Sequence, residues 1–294
     1  MSEPLFERMA LIGIGLIGAS LALAARRRGL ARRVVTADCN PDHVRRAQEL
    51  GLVDEASTDL GAMVDGADLV VLCTPVGSFA ALAAALAPHL APGAIVSDVG
   101  SVKELVLREV APRLPAGVQL VPAHPVAGTE FSGPDAGKAD LFEGRWCILT
   151  PPDAADALAV ARVRALWEGV GSMVEVMEAS HHDRVLAITS HLPHLIAYTI
   201  VDTAVGLEES TQSEVIKFSA SGFRDFTRIA ASDPVMWRDI FLNNREAVLD
   251  ILQRFTEDLT ALQRAIRRGE GETLQRVFTS TRKIRRSIID ARQA

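Results

Sequence analysis

Cysteine is scarce: Cys39, Cys73 and Cys147 are the only three among 294 residues, and no two of them form a CxxC pair. The low, odd count argues against a disulfide framework and leads us to expect a reduced, cytoplasmic setting. Lysine is nearly as rare, with Lys103, Lys138, Lys217 and Lys283 the whole set and arginine supplying the rest of 31 basic residues. Acidic residues number 37, and the resulting net charge of −6 argues against nucleic acid as a partner. An anionic small molecule is still allowed, provided that its cations are local. Long unbroken apolar runs are missing too. The most apolar stretch, 79–96, is interrupted by Pro88, His89, Pro92 and Gly93, so no membrane partner is expected. Met1-Ser2-Glu3-Pro4 lacks the basic-then-apolar order of a secretion signal, and none is expected. The remainder, 48% hydrophobic and 23% charged, is the composition of a globular protein with room for two domains.

What is present begins with Met9-Ala10-Leu11-Ile12-Gly13-Ile14-Gly15-Leu16-Ile17-Gly18, and Asp38 stands twenty residues (38 − 18) beyond the last glycine. The apolar run to Ile12 reads as a buried strand. Gly13 permits a tight turn, Gly15 lets backbone approach a pyrophosphate, and Gly18 lets the next helix pack close to the strand. The first helical N–H groups, from Leu16 and Ile17 on, then point at the phosphates, where the helix dipole favours negative charge. Asp38 closes a second apolar stretch, 34–37, where a carboxylate can accept hydrogen bonds from ribose hydroxyls. It would repel a 2′-phosphate, and Cys39-Asn40-Pro41 supply no cation to hold one, so NAD is favoured over NADP as cofactor. Taken alone, Asp38 could equally be a strand-end turn residue.

The first half of the chain alternates strand patterns (10–14, 34–37, 69–73, 94–97, 120–121, 146–149) with helix patterns (16–28, 41–51, 79–90, 102–113). Such alternation calls for parallel pairing with right-handed crossovers. Thr74-Pro75 follows a strand at its C-terminal end, the edge where cofactors bind in such sheets. A last strand, 173–177, is expected to finish the sheet. From about Glu178 onward no strand pattern remains, and helical periodicity covers 181–206, 213–218, 234–268 and 270–292. The expected fold is therefore α/β, an N-terminal Rossmann dinucleotide-binding domain over 1–177, with a C-terminal all-α domain over 178–294. Val248, Leu249, Leu252, Phe255, Leu259 and Leu262 recur at threes and fours as one apolar stripe, which reads as core or as a dimer interface. A homodimer through the helical domain is expected.

Four strings stand out for chemistry: Asp98-Val99-Gly100-Ser101-Val102-Lys103; His124-Pro125-Val126-Ala127-Gly128-Thr129-Glu130; His191-Leu192-Pro193-His194; and Gly222-Phe223-Arg224-Asp225-Phe226-Thr227-Arg228. With the glycine fingerprint and in this order, they resemble the prephenate/arogenate dehydrogenase family of tyrosine biosynthesis. The likeness runs from Ala10 through Asp233-Pro234-Val235-Met236-Trp237-Arg238-Asp239. The resemblance implies oxidation of a 4-hydroxycyclohexadiene acid by NAD(P)+, with loss of carbon dioxide as the ring aromatises.

That chemistry needs a base near neutral pKa within reach of the ring hydroxyl, and histidine fits. The resemblance makes His124 this base, although a His-Pro after a strand can also be a plain loop element. Ser101 reads as a helix N-cap on its own, while the resemblance sets it beside the catalytic histidine and the ring hydroxyl. Lys103 reads as a first-turn surface residue. A substrate with two carboxylates needs buried cations, and Arg228 is the best candidate, with Arg224 and Asp225 in the same polar wall, joined as an ion pair. His194 is expected to hydrogen-bond substrate, and the resemblance places Thr129 and Glu130 at the entrance, Glu130 as a gate. Trp237 reads as helical core. His181, His182, His191 and His194 lack HExxH spacing or a cysteine cluster, so no metal is expected. Two alternatives remain at this point. A β-hydroxyacid dehydrogenase shares the architecture, but it relies on a lysine in the first helix of its second domain, where 180–206 has none. A dinucleotide-binding sensor would have no need of His124, Ser101 and Arg228 together.

Overall fold

The apolar run before Gly13 forms β1 (Phe6–Ile12), and five further strands lie parallel with it: β2 (Ala31–Ala37), β3 (Glu55–Ser57), β4 (Leu69–Leu72), β5 (Ile95–Asp98) and β6 (Gln119–Leu120). Their order is β3-β2-β1-β4-β5-β6 in this computed structural model, which describes residues 3–206, Glu214, Lys217 and 220–290. The order reverses between β1 and β4, which opens a crevice beyond their C-terminal ends. Ile12 pairs with both Ala37 and Leu72, so Gly13, Asp38 and Cys73 leave the sheet along one edge. The central strands are apolar on both faces because helices cover both: α1 (Leu16–Arg28), α2 (Pro41–Glu49), α3 (Leu60–Val64), α4 (Phe79–Leu86) and α5 (Lys103–Glu109).

Local chemistry sets the helix ends. Asn40 caps α2 by accepting from the Asp42 N–H, with Pro41 in the first turn. Gly29 ends α1 at φ 66°, donating to Ala25 and Arg26, while Arg26, Arg27 and Arg28 face the negative end of its dipole.

The strand expected to finish this sheet does not. β7 (Ala123–Pro125), β8 (Trp146–Leu149) and β9 (Met173–Val176) form a second sheet, β7 antiparallel to β8 and β8 parallel to β9. Pro122 has no N–H to extend the β6 ladder, so the chain leaves the first sheet there and starts the second. α6 (Ala157–Gly169), capped by Asp156, precedes β9.

Beyond β9, every described element is helical. α7 (Ala179–Leu186) runs through a π turn, Ala187–His191, into α8 (Leu192–Val205). Pro193, which cannot donate and would crowd the carbonyl four residues back, follows directly on the widened turn. This rod of 27 residues, Ala179–Val205, has the length and hydropathy of a membrane span. It also buries His182, Asp183 and His191, and Asp183 bonds to the backbone of α5, which ties the rod to protein. The helix expected over 213–218 lies largely outside the described residues. α9 (Ser221–Thr227) continues into a 3-10 turn, Arg228–Ala231. The periodicity read over 234–268 is two helices, α10 (Pro234–Asn243) and α11 (Arg245–Arg268), because Asn244 leaves helical geometry at ψ 34°. α12 (Gly271–Asp290) follows.

The chain forms two compact units, Met1–Arg245 and Glu246–Ala294. In the second, Leu249, Leu259, Ile266, Val277, Phe278 and Ile284 are exposed.

Candidate active site

The glycine turn has the shape that a dinucleotide needs. Gly13 sits at φ 97°, and a Cβ there would meet Thr74 Cγ2 at 2.8 Å and the Cys73 carbonyl at 2.9 Å. At Gly18 a Cβ would lie 2.2 Å from the Gly13 carbonyl, so only glycine lets α1 approach the turn. Gly15 is different: nothing lies within 4 Å of its Cβ position, which leaves its backbone open to a ligand. Leu16 and Ile17 begin α1, whose first turn holds no acidic side chain to repel phosphate. Asp38 is oriented by N–H groups of Ile14 (3.0 Å) and Asn40 (2.9 Å), with His43 Nδ1 at 3.4 Å. The nearby arginines of α2 are engaged, Arg45 with Asp42 and Glu49, Arg46 with Asp135 and Glu49. The Thr74 hydroxyl bonds to the Ser78 hydroxyl at 2.7 Å, fixing the loop after β4 through the Pro75 carbonyl. These residues fit NAD.

Next along the same edge, β5 ends in Asp98. Its carboxylate accepts from the Lys103 ammonium, from Gly100 N–H at 2.8 Å and from Ala123 N–H at 3.2 Å. Lys103 also donates to the Ala123 carbonyl at 2.7 Å. Lys103 and Asp98 are both 0% exposed, so the surface reading of Lys103 is wrong. Burial raises the Asp98 pKa against the opposing pull of Lys103 and the two N–H groups. Ser101 is half-buried between β5 and α5 and is not the N-cap. Asp183 takes that part from a distance: its carboxylate accepts from Lys103 N–H (2.8 Å) and Glu104 N–H (2.9 Å), the first donors of α5.

His124 lies within β7, 6% exposed, opposite Ile148, and not in a loop after a strand. Its Nδ1 is 2.8 Å from His182 Nε2, and His182 Nδ1 is 2.7 Å from Asp183 Oδ1. Nε2 of His124 makes no hydrogen bond among the described residues and is not sealed from solvent. Burial first, then the neighbouring His182, Lys103 and His191, holds the His124 pKa well below 6.5. Burial likewise lowers His182 to about 2 and His191 to about 4. All three imidazoles are neutral at pH 7.

The helical elements add the remaining candidates. His194 donates from Nδ1 to the Ser190 carbonyl at 2.9 Å and stacks on Trp237 with ring centroids 3.6 Å apart. Burial lowers its pKa, and Arg228 contributes in the same sense, which puts that guanidinium within electrostatic reach. Arg228 itself is not buried: its side chain is 58% exposed and paired to Glu130 at 2.9 Å. Glu130 and Thr129 are half-buried on the loop after β7, where the Thr129 hydroxyl accepts from Phe131 N–H. Arg224 and Asp225 are exposed on α9, and no ion pair joins them, so the expected pairing is not formed. Trp237 is 5% exposed, packed as expected, and among the described residues its Nε1 lacks a partner, as does buried His191 Nε2. His191 Nδ1 accepts from Asn244 at 3.0 Å.

Lys103, His182 and Asp183 are thus the residues that sequence reasoning passed over. Two signals were available: a rare lysine within a motif, and a His-His-Asp run opening the second half.

A doubly wound sheet with an open glycine turn, an acid at the end of β2 and a buried neutral imidazole defines a nicotinamide-dependent dehydrogenase. Residues 21–176 match the family "Prephenate dehydrogenase, nucleotide-binding domain", and residues 178–280 match "Prephenate dehydrogenase, dimerization domain". The chain belongs to the prephenate dehydrogenase family. It is 42% identical to a cyclohexadienyl dehydrogenase of Zymomonas mobilis over 96% of both chains. A solved prephenate dehydrogenase of Aquifex aeolicus, in complex with hydroxyphenyl propionate and NAD+, is 37% identical with a TM-score of 0.87, covering 96% of this chain and 98% of that one. An arogenate dehydrogenase of Synechocystis is 30% identical with a TM-score of 0.78, over 96% and 99%.

Proposed function

We propose that the chain oxidatively decarboxylates prephenate, arogenate or both with NAD+, giving 4-hydroxyphenylpyruvate or tyrosine, carbon dioxide and NADH. The observation that carries this reading is His124: a neutral imidazole with Nδ1 occupied and Nε2 without a partner among the described residues, next to Ala123, whose N–H bonds to Asp98 at the end of β5. Bound NAD+ supplies the acceptor for the hydride that leaves ring C4. Gly13, Gly15, Leu16, Ile17 and Gly18 hold its pyrophosphate, Asp38 its ribose, and Thr74-Pro75 line the crevice.

His124 Nε2 accepts the hydrogen bond of the C4 hydroxyl and strengthens it as C4 gains carbonyl character. When the ring carboxylate departs as carbon dioxide, its electron pair enters the ring and the oxygen becomes phenolic. The proton held between oxygen and imidazole then returns, and the overall reaction releases none. Ser101 orients the hydroxyl and His124. Arg228, with His194, holds the side-chain carboxylate. An arginine on the departing carboxylate would stabilise the ground state and slow the reaction, so the retained group is the better partner. Glu130 occupies Arg228 before substrate arrives, as a gate would. Residues 1–177 serve the nucleotide and 178–294 the substrate and a homodimer, for which the exposed apolar side chains of the second unit supply a surface. A cytoplasmic site and a small-molecule partner complete the reading.

Incubation of pure protein with NAD+ and prephenate or arogenate tests it. NADH and the aromatic product should accumulate together. Turnover of 3-hydroxy acids alone, or binding without turnover, would defeat it. Two variants test individual roles. Arg228→Ala should raise KM for the acid by about tenfold or more, with kcat changed far less; an unchanged KM would assign the carboxylate to another cation. Asp38→Ala should raise KM for NAD+ and shrink the preference for NAD+ over NADP+, read from kcat/KM with each coenzyme. A preserved preference would remove Asp38 from ribose recognition.

A further inference from the structure

His182 and Asp183 take no part in the reaction just described, yet both are fully buried and the first lies against the proposed base. Burial raises the Asp183 pKa, and the N–H groups of Lys103 and Glu104 and the Lys103 ammonium oppose that rise; with Asp183 ionised, the hydrogen bonds have one consistent arrangement. Asp183 Oδ1 accepts from Lys103 N–H, and Oδ2 from Glu104 N–H, so the group at the head of α5 is a carboxylate facing helix donors. A carboxylate can only accept, and His182 Nδ1 therefore carries the proton of the 2.7 Å contact. A neutral imidazole protonated on Nδ1 has its lone pair on Nε2. His182 Nε2 then accepts, and His124 Nδ1 donates across 2.8 Å. The lone pair of His124 is left on Nε2, the nitrogen without a partner among the described residues.

We propose that His182 and Asp183 are positioning residues: through this chain they hold His124 in the Nδ1–H tautomer that presents Nε2 to the substrate hydroxyl. The inference rests on His124 being the base. The alternative tautomer would put an N–H where the hydroxyl proton must be received and would stop the reaction at its first step. The chain also sets the ring plane of His124, which makes an edge contact with His182 at an interplanar angle of 69°. As the proton shifts from substrate oxygen toward His124 Nε2, the positive charge on that ring lies two hydrogen bonds from the Asp183 carboxylate, and no further bond need form or break.

A purely structural tie between α7 and α5 would use the same contacts, so the test reads tautomer and turnover and does not rely on stability. In the wild-type enzyme, imidazole nitrogen NMR should show Nδ1 protonated and Nε2 bare for both His124 and His182; the opposite tautomer of either ring overturns the proposal whatever the variants do. His182→Phe, which fills the space but accepts nothing, should lower kcat by about a hundredfold while KM for NAD+ and for prephenate stays within about threefold. His182→Gln, whose carbonyl oxygen can reach the place of Nε2, should recover about tenfold of that loss. Equal kcat in the Phe and Gln variants, or a Phe variant with wild-type kcat, sinks the proposal. His124→Asn, measured alongside, separates the two readings. If it retains full kcat, the base assignment fails; if it alone is inactive, only the role of His182 and Asp183 falls.

Discussion

His124→Asn is expected to lower kcat by about 10²–10⁴-fold with KM for NAD+ nearly unchanged, since asparagine keeps a polar group of similar reach but cannot hold a proton. Steady-state kinetics with saturating prephenate measures it. The pH dependence follows from the same residue. Burial and the neighbouring His182, Lys103 and His191 keep the His124 pKa well below 6.5. The neutral, working form therefore persists as pH falls past 6.5, and protonation removes it only at lower pH. The acid limb of kcat/KM belongs below the ordinary histidine range, and His124→Asn should abolish that limb together with the rate. A variant with wild-type kcat would take the imidazole out of the mechanism.

The second large effect is on stability. Lys103→Met leaves the Asp98 carboxylate buried with two N–H donors but no cation, and breaking such a pair costs about 3–5 kcal/mol. Denaturant unfolding should show a midpoint shift of that order. Adding Asp98→Asn to Lys103→Met removes the stranded charge and should restore part of the loss, which a double-mutant cycle would read as strong coupling. The sign with pH is fixed by Asp98. Its pKa is already raised by burial and rises further without Lys103, so the penalty is full above that pKa and shrinks as the carboxyl takes up a proton at lower pH. Additive single effects would mean that the ammonium and carboxylate are neighbours without being partners.

The nucleotide half was legible because its signals are local. Gly13, Gly15 and Gly18 lie within six residues of one another in a recognisable spacing, and the strands beside them are apolar runs bounded by helices of ordinary length. The second sheet was not legible. β7 has three residues, one of them Pro125, too few to show alternation, and β9 has the sequence pattern of a strand closing the first sheet. The candidate site divides the same way. His124, Ser101, His194 and Arg228 come from recognisable strings. The N-cap of α5 does not, because its acceptor is Asp183, 80 residues further on, and a cap delivered through tertiary structure leaves no trace beside Ser101. Lys103 was misplaced for a related reason. Lysine at the start of a helix is ordinarily solvated, and only the fold reveals that Asp98 and the Ala123 carbonyl enclose it.

The π turn at Ala187–His191 decides how a single rod can satisfy two sets of neighbours. Its bonds close one residue later than those of an α-helix, so it inserts an extra step of about 100° between the side chains before and after it. With that step, His182 and Asp183 meet His124 and the head of α5, while His194 meets Trp237. An unbroken α-helix of the same composition would have to rotate one group out of register to seat the other. The widened turn is a phase corrector, letting one helix seat His182 and Asp183 against His124 and α5 while His194 stacks on Trp237.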